Sequence, residues 1–320
     1  MAAAVEHPPE LLTSEGRPRR VGVEIEFTGI DAAEAAALVQ ELYGGAIHEV
    51  SKHCFEVVET CFGEFKVEID LRYVHDIHVD DQSFVGKFKD GLADIAGDVA
   101  SLWLPLEIVA PPVEIAALPE IDQIVPGLRA RRAEGTRRSV LYAFGLQLNP
   151  DVPSTDPDSL RRHLQAYLVL SPWLRAGIQV DATRRLLPFA APFPDHYARR
   201  VLAADYRPDL HGLVADYLAA NPTRDRELDL LPLFAHVAPD QTYAKVTDPL
   251  VKPRPTFHYR LPDSRVDEPS WGGVIEEWNR WVMVERLAAD SGSLAAARRA
   301  RLEGPCADNW IERLRHALDS

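Results

Sequence analysis

Cysteine is scarce in this sequence, and its three cysteines lack the spacing of zinc and disulfide motifs. Cys54, Cys61 and Cys306 form no CxxC pair. An odd, sparse set argues against a disulfide framework and against a structural zinc site. We therefore expect a reducing compartment, the cytoplasm, and a fold held together by its apolar core.

Long apolar runs are also missing. Nowhere do about 18 uninterrupted apolar residues occur, as a membrane-spanning helix requires, and no apolar segment follows a basic start as in a secretory signal. We therefore expect no membrane partner and no signal segment. Residues 1–18, which combine proline with mixed charge, read as a flexible N-terminal arm.

Positive charge is in short supply as well. The chain has 35 Lys and Arg against 49 Asp and Glu, a formal net charge of −14. This charge opposes the phosphates of nucleic acid, so we expect no nucleic acid partner. The glycine-rich loops GxxxxGK[ST] and GxGxxG are absent too. Any bound nucleotide must therefore be held by another kind of surface.

Apolar residues, in contrast, suffice for a substantial core, at 46% of 320 residues. Strand-like runs mixed with helical runs, joined partly by a hairpin, predict an α+β fold rather than a regular βαβ series. Strands are predicted at residues 21–27, 55–59, 65–73, 106–110, 141–149 and 256–261. Helices are predicted at residues 32–43, 81–104, 157–170, 273–289 and 310–318, the first with an Asp31 cap and a Gly44-Gly45 end.

Several of these strands place polar side chains opposite an apolar face. Alternation along residues 21–27 sends Glu24 and Glu26 to one face, about 7 Å apart, and the apolar residues to the other. One such strand alone is typical of a solvated acidic face. The same split recurs, however, in four more strands, with the polar residues Glu68 and Asp70, Glu107, Gln147 and Asn149, and His258 and Arg260.

If these polar faces line one concave sheet, the grouped carboxylates need positive charge between them. A divalent cation with oxygen ligands supplies it, and magnesium fits better than zinc. Asp70 is a candidate metal ligand, although the hairpin could turn Glu68 and Asp70 either into the cup or toward solvent. Arg260, with Arg254, would hold phosphate oxygens.

The sequence allows two roles for Arg224. It could join Arg260 and Arg254 in holding phosphate or clamp a substrate carboxylate, as could Arg226. Alternatively, both arginines pair with neighbouring acids such as Glu227 on a helical surface.

Four segments in order resemble the putative amidoligase family, a branch of the carboxylate-amine ligases in the glutamine synthetase superfamily. They are residues 21–27, 106–112, 145–149 and 254–262, and residues 221–226 and 228–237 are similar to that family too. The resemblance covers about residues 20–290. It implies a glutamine synthetase-like catalytic fold over residues 19–290, in which a curved, mainly antiparallel sheet forms a concave active-site cup backed by helices. Residues 291–320 would be a helical extension packed on it.

The resemblance also implies roles for single residues. Glu24 and Glu26 match paired glutamates that contact separate metal ions, and Glu107 matches an acid near the metal or the attacking amine. His258 and Arg260 match a late strand that reads Glu-x-Arg in glutamine synthetases, so that His258 is a metal ligand and Arg260 stabilises phosphate. Gln147 and Asn149 occupy a strand that contacts metal or phosphate there, which implies nucleotide contacts through their amides.

The implied reaction is an ATP- and Mg²⁺-dependent ligation through an acyl phosphate, with two or more ions and Mn²⁺ as the alternative metal. The substrates would be a small-molecule or peptide carboxylate and an amine or ammonia, the latter delivered by an amidotransferase partner. Two alternatives stay open at this stage. One is a phosphotransferase on the same fold. The other is a nucleotide- or peptide-binding module that has lost turnover, and it stays open because Gln147 and His258 depart from the residues that glutamine synthetases have at these places.

Overall fold

A computed structural model describes residues 3–69, 105–136, 144–178 and 190–303 of the chain. The fold is α+β, with one curved, open, antiparallel sheet of eight strands in the order β2-β3-β4-β5-β1-β6-β8-β7. The strands are β1 Arg20–Phe27, β2 Ala46–Ser51, β3 Cys54–Thr60, β4 Gly63–Ile69, β5 Leu106–Glu114, β6 Leu146–Pro150, β7 Leu228–Asp229 and β8 His258–Tyr259.

Helices are interspersed among these strands in the chain. They are α1 Ala32–Tyr43, α2 Leu118–Ile121, α3 Ile124–Ala130, α4 Pro157–Ile178, α5 Asp195–Leu202, α6 Leu210–Ala220, α7 Leu231–Val237, α8 Pro239–Tyr243, α9 Gly273–Ala289 and α10 Ser291–Glu303. Among the helices of the described ranges, none has both the length and the apolarity that a bilayer crossing requires. The predicted helices at 81–104 and 310–318 lie outside the described residues.

Strand β1 lies inside the sheet, and its side chains divide between the two faces as alternation predicts. Its apolar side chains, among them Val23 and Ile25, are fully buried, and the strand pairs with β5 on one side and β6 on the other. The same register puts Glu24 and Glu26 on the opposite face, beside the polar residues of both neighbours. The central strand thus separates the core from the polar surface of the sheet.

The predicted helix boundaries of α1 are confirmed. The Asp31 side chain accepts a hydrogen bond of 2.8 Å from the backbone N–H of Glu34, which is the N-cap interaction that the sequence predicts. Gly44 ends the helix with φ of 74°, and Gly45 follows with φ of 91°. Both glycines occupy the left-handed region, where a side chain is strained.

These two glycines provide a paired test of the turn after α1. A Cβ added at Gly45 would overlap the carbonyl oxygen of Val58, whereas a Cβ at Gly44 would meet open space. We expect Gly45→Ala to lower the free energy of unfolding by about 3 kcal/mol, from backbone strain and overlap together. Gly44→Ala should cost only about 1 kcal/mol. Urea denaturation measures both, and equal losses would contradict the packing at Gly45.

Strand β5 differs from its prediction. The sequence predicts that it stops at Pro111 and Pro112, but it continues to Glu114. The register with β1 shifts between Val21 and Val23, so that one extra β5 residue is accommodated there. A bulge tolerates residues that cannot donate a ladder hydrogen bond. The pairing of β5 with β4 ends at Val109, before the prolines.

Other strands and helices also begin or end at residues that differ from the predicted ones. The hairpin around residues 61–63 is confirmed as β3 and β4, while β2 was not predicted. The strand predicted at 256–261 is ordered as β8 over only two residues. Helix α4 continues past its predicted end at residue 170 and through Pro172, because Leu174 and Ile178 extend its buried apolar face.

The two terminal segments both contact the body of the protein. Within the predicted arm, the Glu6 carbonyl accepts a 2.8 Å hydrogen bond from the Trp278 indole of α9, and the Glu6 carboxylate pairs with Arg286 at 2.7 Å. Within the predicted extension, α10 packs on α4, α5 and α9, and Arg298 donates to the carbonyl of Leu202. Residues 304–320 lie outside the described ranges.

Helix α4 carries a buried histidine behind the sheet. The Nδ1–H of His163 donates to the Ser159 carbonyl at 2.8 Å, and its ring stacks on Phe257. Burial lowers the pKa of His163 below its ordinary value of 6.5. The folded protein therefore disfavours the charged imidazole, so the contribution of His163 to stability is complete above that value and is lost as the pH falls toward the lowered pKa.

We expect acidification to weaken the wild type more than a His163→Gln variant, which lacks this buried imidazole. The measurement is the free energy of unfolding at about pH 7.5 and about pH 5.5, from urea titrations of both proteins. If the difference between the two proteins is the same at both pH values, His163 does not titrate as its burial requires.

Candidate active site

The polar face of the sheet forms one wall of a cavity of about 400 Å³. The other wall comes from the segments around β7 and between α8 and β8. Strand alternation predicts most of the first wall, since the side chains that the sheet contributes there share a face, except Ile69 at the end of β4. The cavity is lined by Glu24, Lys66, Glu68, Ile69, Glu107, Val109, Arg224, Pro232, Leu250, Lys252, Arg254, His258 and Arg260.

Three carboxylates from neighbouring strands make one side of the cavity acidic. Glu24 lies on β1, Glu107 on β5 and Glu68 on β4, and Glu68 is directly opposite Glu107 in the ladder. Directly opposite residues have Cβ atoms about 5 Å apart. Lys66 forms an ion pair with Glu68 at 2.7 Å. The hairpin therefore turns Glu68 toward the cavity, which decides the alternative that the sequence leaves open for this residue.

Four cationic side chains make the other side basic. They are Arg224, Lys252, Arg254 and Arg260. Arg224 lies 3.9 Å from the Asp248 carboxylate, and within the described residues neither Lys252 nor Arg254 forms an ion pair. A local excess of positive charge in a chain of net charge −14 marks a place that attracts anions.

Arg260 belongs to a chain of buried polar groups that crosses the sheet. Its Nη1 donates to Gln147 Oε1 at 2.5 Å, and its Nη2 donates to Asp229 Oδ2 at 3.2 Å. Gln147 Nε2 donates in turn to Glu26 Oε1 at 2.9 Å, and the Gly145 N–H donates to Glu26 Oε2 at 2.6 Å. We call the side chains of Glu26, Gln147, Arg260 and Asp229 the cross-strand chain.

A second amide supports the acidic wall. Asn149 on β6 donates from Nδ2 to Glu24 Oε1 at 2.8 Å, and Asn149 lies opposite Gly22 in the ladder. On β8, His258 Nε2 is 3.2 Å from the Thr256 hydroxyl, and His258 lies opposite Asp229. Neighbouring polar groups thus hold Glu24 and His258 in place where they reach the cavity.

Two buried acids stand behind the basic wall. Burial raises the pKa of Asp229, although Arg260 beside it opposes the change. Burial likewise raises the pKa of Glu227, against the effects of Ser171 and Arg175. The backbone carbonyl of Glu227 accepts a hydrogen bond from the Arg260 N–H at 3.0 Å. Desolvation is therefore the main cause of the raised pKa of both acids.

The structure brings most of the sequence-predicted site residues to this cavity. Glu24, Glu107, Arg224, Arg254, His258 and Arg260 line it, whereas Glu26, Gln147 and Asn149 are buried beside it in hydrogen bonds to other side chains. Asp70 lies outside the described residues. The predicted phosphate contacts of Gln147 and Asn149 stay predictions.

The donor set bears on the metal that the sequence predicts. Among the described residues, no three His, Cys, Asp or Glu side chains are grouped closely enough to hold a metal ion. Magnesium, however, is usually bound by one or two carboxylates together with water and substrate phosphates, not by an all-protein cage. Neighbouring carboxylates facing a basic wall suit that mode of binding, in which water and substrate phosphates complete the coordination.

Sequence reasoning missed Asp229 and Lys252. Asp229 belongs to a strand of only two residues, too short to show any period, and pairs with Arg260 rather than with a surface arginine. Lys252 lies in an extended, proline-rich stretch that reads as a loop, two residues before the predicted Arg254. The alternation of these two cations beside the predicted strand was the available signal.

Comparison with known proteins gives one match. The family model described as "Putative amidoligase enzyme" matches residues 17–283, which include every described residue that lines the cavity. Neither the curated proteins nor the solved structures contain a match to this chain.

Proposed function

Because this chain belongs to the family described as "Putative amidoligase enzyme" and is thus a ligase-type enzyme, we propose that it joins a carboxylate to an amine at the expense of ATP, with magnesium. The observation that carries the proposal is the cavity with its opposed walls. Three carboxylates face four cationic side chains across a cavity of about 400 Å³ in volume. A polyphosphate with divalent cations matches this division, because the metal ions meet the acids while the phosphate oxygens meet the guanidinium groups.

Each wall has a distinct task in the proposed reaction. Glu24 and Glu107 would hold magnesium, with His258 beside them, and Arg260 and Arg254 would hold phosphate oxygens. The metal, when bound, neutralises charge on the transferring phosphoryl group. Arg260 contributes a planar, fixed donor pair, which needs no reorganisation as charge develops. Arg224 and Lys252 complete the anion-binding wall.

The proposed chemistry proceeds in two displacements. A carboxylate oxygen of the substrate attacks the γ-phosphorus of ATP, the bond to the β-phosphate oxygen breaks, and ADP leaves. The amine then attacks the carbonyl carbon of the acyl phosphate, the C–N bond forms, and inorganic phosphate leaves. The amine must lose a proton in this second displacement, and Glu107 on the acidic wall is our candidate to accept it.

We also propose that the fold is glutamine synthetase-like and that the protein acts in the cytoplasm. A concave polar face on an antiparallel sheet supports a glutamine synthetase-like cup, here built from eight strands. The carboxylate is a small molecule or a peptide, and the amine is ammonia or a larger amine, with an amidotransferase partner as the source in the first case. The sparse cysteines support the cytoplasm as the compartment.

Release of ADP tests the proposal. The purified chain would be incubated with ATP, Mg²⁺ and pools of carboxylates and amines, singly and together. ADP that appears only when both pools are present supports the ligase. ADP with one pool and a stable phosphorylated product would show a phosphotransferase instead. Tight ATP binding without ADP release would show a binding module.

A further inference from the structure

The cross-strand chain joins the acidic wall of the cavity to its basic wall. Its four members come from four consecutive positions of the sheet, Glu26 on β1, Gln147 on β6, Arg260 immediately after β8 and Asp229 on β7. All four are buried. We propose that Gln147 and Asp229 are positioning residues that fix the guanidinium of Arg260 for phosphate binding, and that Gln147 couples its position to Glu26.

The hydrogen-bond polarity of the chain supports this role. A glutamine amide has one accepting oxygen and one donating nitrogen, whereas arginine only donates and an ionised carboxylate only accepts. Gln147 therefore suits a place between Arg260 and Glu26, with its oxygen at 2.5 Å from the guanidinium and its nitrogen at 2.9 Å from the carboxylate. A glutamate at 147 would put two carboxylates together, and a lysine would put two cations together.

Asp229 supports the other end of the guanidinium. Its Oδ2 accepts from Arg260 Nη2 at 3.2 Å, while its Oδ1 accepts from the Leu231 N–H at 2.9 Å, so that both oxygens are held. The carboxylate is fully buried, and Arg260 is 6% exposed. Two different acceptors thus hold the two Nη atoms of one guanidinium, which restricts rotation of the group while it still lines the cavity.

An ion pair of this kind is a weak source of stability, because desolvation offsets much of the attraction. The ion pair instead fixes the orientation of the Arg260 guanidinium. A fixed donor can stabilise charge that develops in the reaction without rearranging first. This inference rests on the proposed function for its catalytic consequence, but not for its structural one. The two consequences can therefore be tested separately.

The test uses Asp229→Asn and Gln147→Leu in the full-length protein. Asparagine keeps the acceptor for Leu231 but turns an NH₂ group toward Arg260, and leucine removes both amide contacts of Gln147. We expect kcat for ADP release to fall by about tenfold or more, with the KM for ATP changed much less. On an Arg260→Lys background, Asp229→Asn should have little further effect, since the two residues act as a unit.

A second readout requires no turnover. The side-chain NH resonances of Arg260, assigned by their loss in Arg260→Lys, should show restricted rotation in the wild type and free rotation in either variant. The matched control is Glu285→Gln, which weakens the equally buried pair between Glu285 and Arg19. This control should lose stability while keeping kcat and the Arg260 resonances.

The outcomes separate the two proposals. Normal ADP release by Asp229→Asn and Gln147→Leu would overturn the positioning role and leave the ligase intact. If the wild type releases no ADP with any substrate pool, the proposed function fails, and the resonances alone decide the positioning role. Unchanged Arg260 resonances in the variants would overturn it. Should Asp229→Asn fail to fold, Gln147→Leu alone decides the same point.

Discussion

Substitution of Arg260 by lysine should lower kcat by about a hundredfold or more, the loss typical when one fixed donor to a transition state is removed. Lysine keeps the positive charge but has a single nitrogen on a flexible stem, so it cannot donate to Gln147 and Asp229 and also present a planar pair to phosphate. Steady-state ADP release under saturating ATP measures the effect. The charge is unchanged, so the loss would be due to geometry.

The control for this substitution is Arg19→Lys. Arg19 is also buried and also donates through two nitrogens to a carboxylate, that of Glu285, but it does not line the cavity. We expect it to lower the free energy of unfolding and to leave kcat within about threefold of the wild type at temperatures where it is folded. Wild-type kcat in Arg260→Lys would show that the arginine plays no part in the reaction.

The second large effect concerns the metal. Glu24→Gln keeps an oxygen that accepts from Asn149, so the local packing is preserved, but it removes one negative charge from the acidic wall. The Mg²⁺ concentration for half-maximal rate should rise by more than about tenfold, the loss seen even for groups that only orient metal ligands. Rates measured across a magnesium titration at fixed ATP test this.

Glu114→Gln serves as the comparison, since it removes the same charge from β5 at an exposed position outside this cavity. Its magnesium curve should overlay that of the wild type. A Glu24→Gln curve that also overlays it would remove Glu24 from the proposed metal site. Parallel shifts in both variants would point to net charge rather than to a ligand.

The parts of this fold that the sequence predicts are those with local causes. Alternation identifies β1 because apolar side chains on one face go into the core while polar side chains take the other, and Asp31 predicts the start of α1 because a cap needs only residues close in the chain. The continuation of β5 through Pro111 and Pro112 was not predictable, because the bulge depends on the register with β1. Register is a property of two distant segments.

In the candidate site, too, local features were predictable from the sequence and contacts between distant segments were not. The sequence assigns Glu26 and Gln147 to the polar face correctly, but alternation gives a face and not a depth. Their burial depends on distant segments, since Arg260 reaches Gln147 from the end of β8 and Asp229 on β7 holds Arg260. Asp229 itself could not be found, since a two-residue strand is defined only by its partner. Side chains that bond to one another across strands are therefore the part that sequence reasoning most easily misreads.

The position of β1 in the sheet has a consequence for how the protein is made. β1 is synthesised well before both of its partners, β5 and β6, which come much later in the chain. Loop closure over such separations is slow, whereas the β3–β4 hairpin closes locally. On the ribosome, β1 therefore stays without these two partners until β5 and β6 have emerged, and the two walls of the cavity meet only after β8 has been synthesised. Pulse-labelled hydrogen exchange on refolding should find the amides of β3 and β4 protected before those of β1.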